Sequence, residues 1–309
     1  MRALVTGGSG FAGTALHAHL LTEGDHVVAW SRADGGPDIT DRPAVFDQIE
    51  DAQPEVIYHL AAQAHVPTAW SDPIGTLRVN VEGTQNVLDA AAALGNVRVI
   101  VISSAEIYGS VPGDRLPITE TTPLAPSNPY AASKAAADTL AISARTGSGV
   151  DVIRMRPFNH FGPGQSPNFV SAGFAHRIAV AAKEGTRSIP VGNLDVRRDF
   201  CDVRDVVRAY RSAAESGAAG EVYNVCSGVD RSIREIAEAL VAASGADVTL
   251  VESAELVRPS DTPRVVGSAE RITRQTGWSP KIPFEQSIDD IYQDAVGRTD
   301  SNEDARDTF

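Results

Sequence analysis

The chain has 309 residues, 42% of them hydrophobic, enough to bury the core of one large domain or two modest ones. Its 27 basic and 40 acidic residues give a net charge of −13, which opposes nucleic acid and anionic membrane surfaces but leaves room for a small anionic ligand held by a few local arginines. Two cysteines, Cys201 and Cys226, are too few for a disulfide framework and lack metal-ligand spacing, so no metal is expected and the setting reads as reducing and cytoplasmic. The apolar start is too short for a signal peptide, and no later run approaches bilayer length.

In chain order, "RALVTG", "HVVAWS", "EVIYHLA", "VRVIVIS" and "VDVIRMRP" read as buried parallel strands. Between them, "TALHAHLLTEG", "VNVEGTQNVLDAAAALG" and "NPYAASKAAADTLAISARTG" read as helices. This alternation predicts an α/β fold with a doubly wound, Rossmann-type parallel sheet. "RRDFCDVRDVVRAYRSAAES" and "GEVYNVCSG" read as a late helix and strand returning to it. Residues 157–196 and 232–294 fit the alternation poorly, although the second contains the helix "IREIAEALVAASG" and a closing helix. The expected division is a dinucleotide domain over 1–156 and 197–229, a smaller discontinuous substrate domain over 157–196 and 230–296, and a fraying polar tail over 297–309.

"VTGGSGFAG" spaces Gly7, Gly10 and Gly13 between a strand and a helix, where a sharp turn and close backbone approach let a pyrophosphate sit on the first helical amides, those of Phe11 and Ala12. At the end of the second strand, Ser31 and Arg32 stand where an NAD site usually has a carboxylate, and favour the 2′-phosphate of NADP(H), with NAD(H) as the alternative and a solvated surface Arg32 as the plain reading. Asp38 and Ile39 either flank the adenine or form an ordinary turn. "HLAAQ" ends the next strand with Leu60 and the two small residues Ala61 and Ala62, which let cofactor backbone pass close by or serve tight helix packing.

"YAASK" sets Tyr130 and Lys134 on one helix face, a geometry in which the ammonium stabilises a phenolate and lowers the tyrosine pKa. In "SSAEIYG", Glu106 follows a buried strand and has three readings: the base of an elimination, a clamp for a substrate hydroxyl, or a loop residue paired with a neighbour.

With the glycine loop, "HLAAQ", "NVEGTQNVL", "SSAEIYG", "PYAASK", "RPFNHFGPGQ", "RRDF", "YNVCSG" and "RPSDTP", the chain resembles the extended short-chain dehydrogenase/reductase family (NAD-dependent epimerase/dehydratase) that modifies nucleotide sugars. The pattern is most similar to the GDP-4-keto-6-deoxy-D-mannose reductase group and close to the GDP-mannose 4,6-dehydratase group. The resemblance implies a catalytic triad of Ser104, Tyr130 and Lys134, in which Ser104 orients the sugar oxygen and Lys134 also holds the nicotinamide ribose. It implies Glu106 as a further catalytic or sugar-binding residue. It also implies Asn159, His160, Asn168 and Val170 as sugar-side contacts, and Asn193, Arg198, Arg258 and Asp261 on the nucleotide diphosphate. Each arginine has salt bridging as its alternative, and His160 equally reads as a structural hydrogen-bonder. His59 and His65 read as structural or as support for the site.

The expected reaction is NADPH-dependent reduction of the carbon 4 ketone of a GDP-4-keto-6-deoxyhexose. The segment after Asn159 favours it, lacking the basic stretch of the dehydratases at Ala172 and Gly173. The alternatives are GDP-mannose 4,6-dehydration, nucleotide-sugar 4-epimerisation and a non-catalytic NADP-binding sensor. A homodimer or homotetramer is expected, with the Ala-rich helices near 83–94 and 131–142 as candidate contacts.

Overall fold

The computed structural model describes residues 1–256 and 262–301. The first half runs β1 (Arg2–Thr6), α1 (Phe11–Thr22), β2 (His26–Trp30), α2 (Arg42–Ala52), β3 (Val56–His59), α3 (Val66–Ser71), α4 (Pro73–Leu77), α5 (Gly83–Leu94), β4 (Arg98–Ile102), α6 (Pro129–Ser148) and β5 (Asp151–Pro157). The second half adds β6 (Asn159–Phe161), α7 (Val170–Glu184), β7 (Ser188–Val191), β8 (Arg197–Asp202), α8 (Val203–Ser216), β9 (Val222–Val225) and β10 (Asp230–Ser232). It closes with α9 (Ile233–Ser244), β11 (Thr249–Glu252), β12 (Arg264–Val265), α10 (Glu270–Thr276) and α11 (Phe284–Ser301).

Six strands form the large sheet, in the order β2-β1-β3-β4-β5-β9 with every pair parallel. Their apolar runs follow from burial on both faces, because successive side chains point to opposite sides. Val5, Tyr58, Ile100 and Met155 meet Leu16 and Leu20 of α1 and Val206 and Tyr210 of α8. Their neighbours Leu4, Ile57 and Val99 meet Val45 and Ile49 of α2 and Val87 and Leu88 of α5. On the α6 side, β5 carries two arginines where apolar residues would be ordinary. Asp138 of α6 answers them, accepting from Arg154 Nη1 at 3.0 Å and from Arg156 Nε and Nη2 at 3.0 and 2.9 Å. The cluster pins α6 to the sheet.

A smaller core lies between α7, α9 and α11, where Phe174, Ile178, Ile236, Leu240, Ile288 and Ile291 pack together. Beside it, β8 pairs in parallel with β6 and β12 and antiparallel with β10, while β7 pairs with β11. Three sequence expectations change here. "RRDFCD" is a strand preceding the late helix, and it joins the small sheet. Residues 157–196 contain a 15-residue helix, α7. The closing helix continues to Ser301, past the expected start of a polar tail at 297, and 302–309 lie outside the described residues.

Candidate active site

The turn after β1 is glycine-built for reasons internal to the protein. Gly7 has φ +73°, and a Cβ there would meet the Ala61 amide nitrogen at 2.8 Å. A Cβ on Gly13 would lie 2.1 Å from the Gly7 carbonyl oxygen. Gly10 is extended and caps α1 without a side-chain hydrogen bond, and no acidic residue stands in the first turn. The Phe11 and Ala12 amides therefore open a helix whose positive end favours an anion, and the turn fits a dinucleotide pyrophosphate. Leu60 and Ala61 pass against this turn, their amides donating to Thr6 O and Thr6 Oγ1, both at 3.2 Å. Ala62 follows them, partly buried.

At the end of β2, Ser31 Oγ donates to Asp34 Oδ2 at 2.5 Å, and the exposed Arg32 donates to Asp38 Oδ2 at 3.4 Å. Bonds from the Thr40 amide and hydroxyl, and then the Arg32 charge, hold the Asp38 carboxyl below its usual range. The Ile39 side chain is buried in the core beneath α2 and α5, and its carbonyl accepts from Asn86 Nδ2.

After β4 a short 3-10 turn, Ala105–Tyr108, begins at Ser104, whose Oγ accepts the Glu106 amide at 3.2 Å. Tyr130 and Lys134 stand one turn apart at the start of α6. Burial of the Tyr130 hydroxyl pushes it up to about 12; a hydrogen bond with Ser104 opposes the rise and the Glu106 charge adds to it. The Lys134 ammonium donates to the Ile102 carbonyl. Burial brings Lys134 itself down to about 8, against the pull of Asp138.

Asn128 belongs to the site and was missed from sequence. Its Oδ1 accepts the Ala131 amide at 2.8 Å, capping α6, and its Nδ2 donates to Glu106 Oε2 at 3.3 Å. The signal was present in "SNPY", an asparagine followed by proline at the first helical position.

On the substrate side, Asn159 is exposed on β6 and the His160 ring stacks on Phe11, with centroids 5.8 Å apart and planes 2° apart. Burial lowers the His160 pKa, and its Nδ1 lies 3.2 Å from Phe158 O. Gln165 Nε2 holds the His160 carbonyl at 3.0 Å. The Gly162–Pro167 loop is braced from α11, since Asp294 Oδ2 accepts the Gly164 amide at 2.9 Å and Arg298 Nη1 donates to Gln165 O at 3.3 Å. Asn168 and Val170 are exposed at the start of α7. Asn193 accepts the Asp195 amide in a local turn, and Arg198 Nη1 donates to Thr262 O at 2.6 Å on β8. Arg258 and Asp261 lie outside the described residues. Ser104, Glu106, Tyr130 and Lys134 thus come together at the end of β4, whereas Asn193 and Arg198 sit on the small-sheet side. No group of three or more His, Cys, Asp or Glu side chains gathers for a metal among the described residues, and none of their helices is long and apolar enough to cross a membrane.

A parallel sheet with a glycine turn at its first strand and a serine–tyrosine pair backed by lysine at its fourth is how short-chain dehydrogenases/reductases are built, and the fold and site put the chain in that class of NAD(P)-dependent oxidoreductases. Residues 35–291 match the family model described as GDP-mannose 4,6 dehydratase. The chain is 39% identical over 308 residues to the GDP-6-deoxy-D-mannose reductase of Pseudomonas aeruginosa, covering 96% of this chain and 98% of that protein. The structure of RMD from Pseudomonas aeruginosa complexed with NADPH superposes with a TM-score of 0.88 at 38% identity, over 96% of this chain and 100% of that one. The Thermus thermophilus UDP-glucose 4-epimerase complex with NAD gives a TM-score of 0.85 at 30% identity, over 96% and 99%. The chain belongs to the GDP-mannose 4,6-dehydratase family.

Proposed function

We propose that the chain uses NADPH to reduce the carbon 4 ketone of a GDP-4-keto-6-deoxyhexose to the alcohol of a GDP-6-deoxyhexose of the rhamnose type. The near full-length likeness to a GDP-6-deoxy-D-mannose reductase carries this reading. Ketone reduction needs an acid, and the Tyr130 hydroxyl, hydrogen-bonded with Ser104, can supply the proton. The bound dinucleotide supplies the hydride. Ser104 and Tyr130 bind the ketone oxygen, and Tyr130 gives it the proton that completes the hydroxyl. Lys134 holds the nicotinamide ribose and keeps positive charge beside the phenolate that remains. Glu106, fixed by Asn128, takes a sugar hydroxyl. Gly7, Gly10 and Gly13 with the Phe11 and Ala12 amides hold the pyrophosphate, and Arg32 with Ser31 the 2′-phosphate, NADH being the weaker alternative. Asn159, His160, Asn168 and Val170 line the sugar, and Asn193 and Arg198 the diphosphate. On this reading residues 1–156 with 197–229 serve the dinucleotide, and 157–196 with 230–296 the sugar nucleotide.

The test is a cofactor balance. A reductase consumes one NADPH per keto-sugar and leaves GDP-mannose untouched. Rapid formation of the keto-sugar from GDP-mannose with no net NADPH consumption instead identifies the second reading, 4,6-dehydration, which the placement of Glu106 beside Tyr130 favours.

The protein is proposed to be cytoplasmic and a homodimer. The candidate contact at 83–94 shifts, since α5 is largely buried beside α2 and α6. Exposed Trp70, Ile74 and Leu77, with Ile142 of α6, supply the apolar surface for pairing.

A further inference from the structure

We propose that His59, acting through Thr84 and Asn80, is a positioning residue that sets the helix of Tyr130 and Lys134 against the glycine turn; this rests on the reductase reading of that site. His59 ends β3, with Nδ1 2.8 Å from Thr6 Oγ1 and Nε2 3.0 Å from Thr84 Oγ1. The direction of each bond follows from counting protons. A threonine hydroxyl has one, and Thr84 gives its own to the Asn80 carbonyl at 2.6 Å. Thr84 must therefore accept from His59, which carries its proton on Nε2. Nδ1 is then an acceptor, so Thr6 donates to it while accepting the Ala61 amide at 3.2 Å. The result is one polarised path from the amide that packs on Gly7 to the Asn80 backbone.

Asn80 continues the path to the catalytic helix. Its Nδ2 donates to Ser133 Oγ at 2.8 Å and to Gln63 O at 3.0 Å, while its Oδ1 accepts the Gln63 amide at 2.7 Å. Ser133 stands between Tyr130 and Lys134 in the chain and donates to the Tyr130 carbonyl at 2.7 Å. Asn80 lies in a turn of π-helix, Arg78–Glu82, a widening of the kind that serves functional sites in helices. Thr6, His59, Asn80, Thr84 and Ser133 are each at most 3% exposed, so water does not replace a lost partner. With burial and the Lys134 charge bringing its pKa down to about 3, His59 stays neutral and keeps one tautomer through the working pH range.

Thr84→Val keeps the shape and removes the hydroxyl, leaving the His59 Nε2 proton unpaired. The expected result is a fall in kcat of about tenfold or more, with KM for the keto-sugar nucleotide changed by less than about twofold and recovery in Thr84→Ser. A second readout needs no turnover: nitrogen NMR of histidine-labelled protein should show His59 as the Nε2–H tautomer in the wild type. Wild-type kcat in a folded Thr84→Val enzyme with a lowered Tm makes the path structural only and overturns the proposal, as does an Nδ1–H tautomer. If Thr84→Val does not fold, Ser133→Ala is read by the same criteria. Tyr130→Phe, run in parallel, separates the outcomes, since full activity there refutes the reductase reading itself.

Discussion

The Asn128 side chain joins the Glu106 carboxylate to the start of α6: its Oδ1 accepts the Ala131 amide and its Nδ2 donates to Glu106. The two bonds respond differently to substitution. Asn128→Asp keeps a good helix cap but turns the donor into a second carboxylate facing Glu106. Thermal unfolding should move little, while kcat/KM in NADPH oxidation falls by about tenfold or more as Glu106 is displaced. Asn128→Ala should lose about 1 kcal/mol of stability with the cap. A fall in Tm without a change in kcat/KM for Asn128→Asp would refute the link to Glu106.

Lys134 titrates at about 8 because burial disfavours its charge. Its ammonium is charged below that value and neutral above it. The pH profile of kcat/KM should therefore be flat to near pH 7.5 and then decline with a slope of about one proton per unit. Tyr130, at about 12, contributes no limb in this range. Lys134→Arg keeps its charge, so whatever activity it retains should lack the alkaline decline.

His59 affects stability at the acid side. Its pKa falls from the ordinary 6.5 to about 3 in the fold, chiefly through burial, so the unfolded chain binds a proton that the native chain refuses. The contribution is present above pH 6.5 and is lost as pH falls below it, amounting to about 2 kcal/mol between pH 7 and pH 5. Urea unfolding at the two pH values measures it, and His59→Gln should show a correspondingly smaller difference between them.

Arg32 is paired with Asp38, so removing it has two effects on an incoming 2′-phosphate: an attraction is lost and a carboxylate is released to repel. Arg32→Ala should raise KM for NADPH about tenfold or more with little change for NADH. Asp38→Asn should act in the opposite direction by a few-fold. Initial rates with both dinucleotides decide the matter, and equal losses for NADPH and NADH would show that Arg32 does not read the phosphate.

The large sheet was legible because its strands, apart from the partly buried edge strand β2, are buried on both faces and so read as apolar runs, and because Gly7 and Gly13 are demanded by close backbone approaches. The small sheet was not. In "RRDFCD" the two partly buried arginines obscure a six-residue strand, and "DVVRAY" behind it draws the reading into the helix. Helix α7 was hidden behind the glycines and prolines of 162–167, which punctuate the loop before it. Within the site, Tyr130 and Lys134 were readable from spacing, since residues one helical turn apart share a face, whereas Ser104 was legible only through the family resemblance of "SSAEIYG". The carbonyl that Lys134 meets, Ile102 O, lies 32 positions away on a different element, and spacing carries no information about it. The same holds for His59, whose threonine partners are 53 and 25 positions distant.

The brace between Asp294 and Gly164 spans 130 positions, and that separation orders events during synthesis. The last strand of the large sheet ends at Val225, so a growing chain holds all six of its strands well before α11 emerges, and Ile272 and Trp278 then complete the core beside them. The loop behind His160 has no such independence: its amide acceptor, Asp294, and the guanidinium that steadies it, Arg298, stand 130 and 133 positions further along the chain than the groups they hold. A chain cut short between Val225 and α11 would therefore hold every strand of the large sheet while leaving the loop behind His160 without its brace.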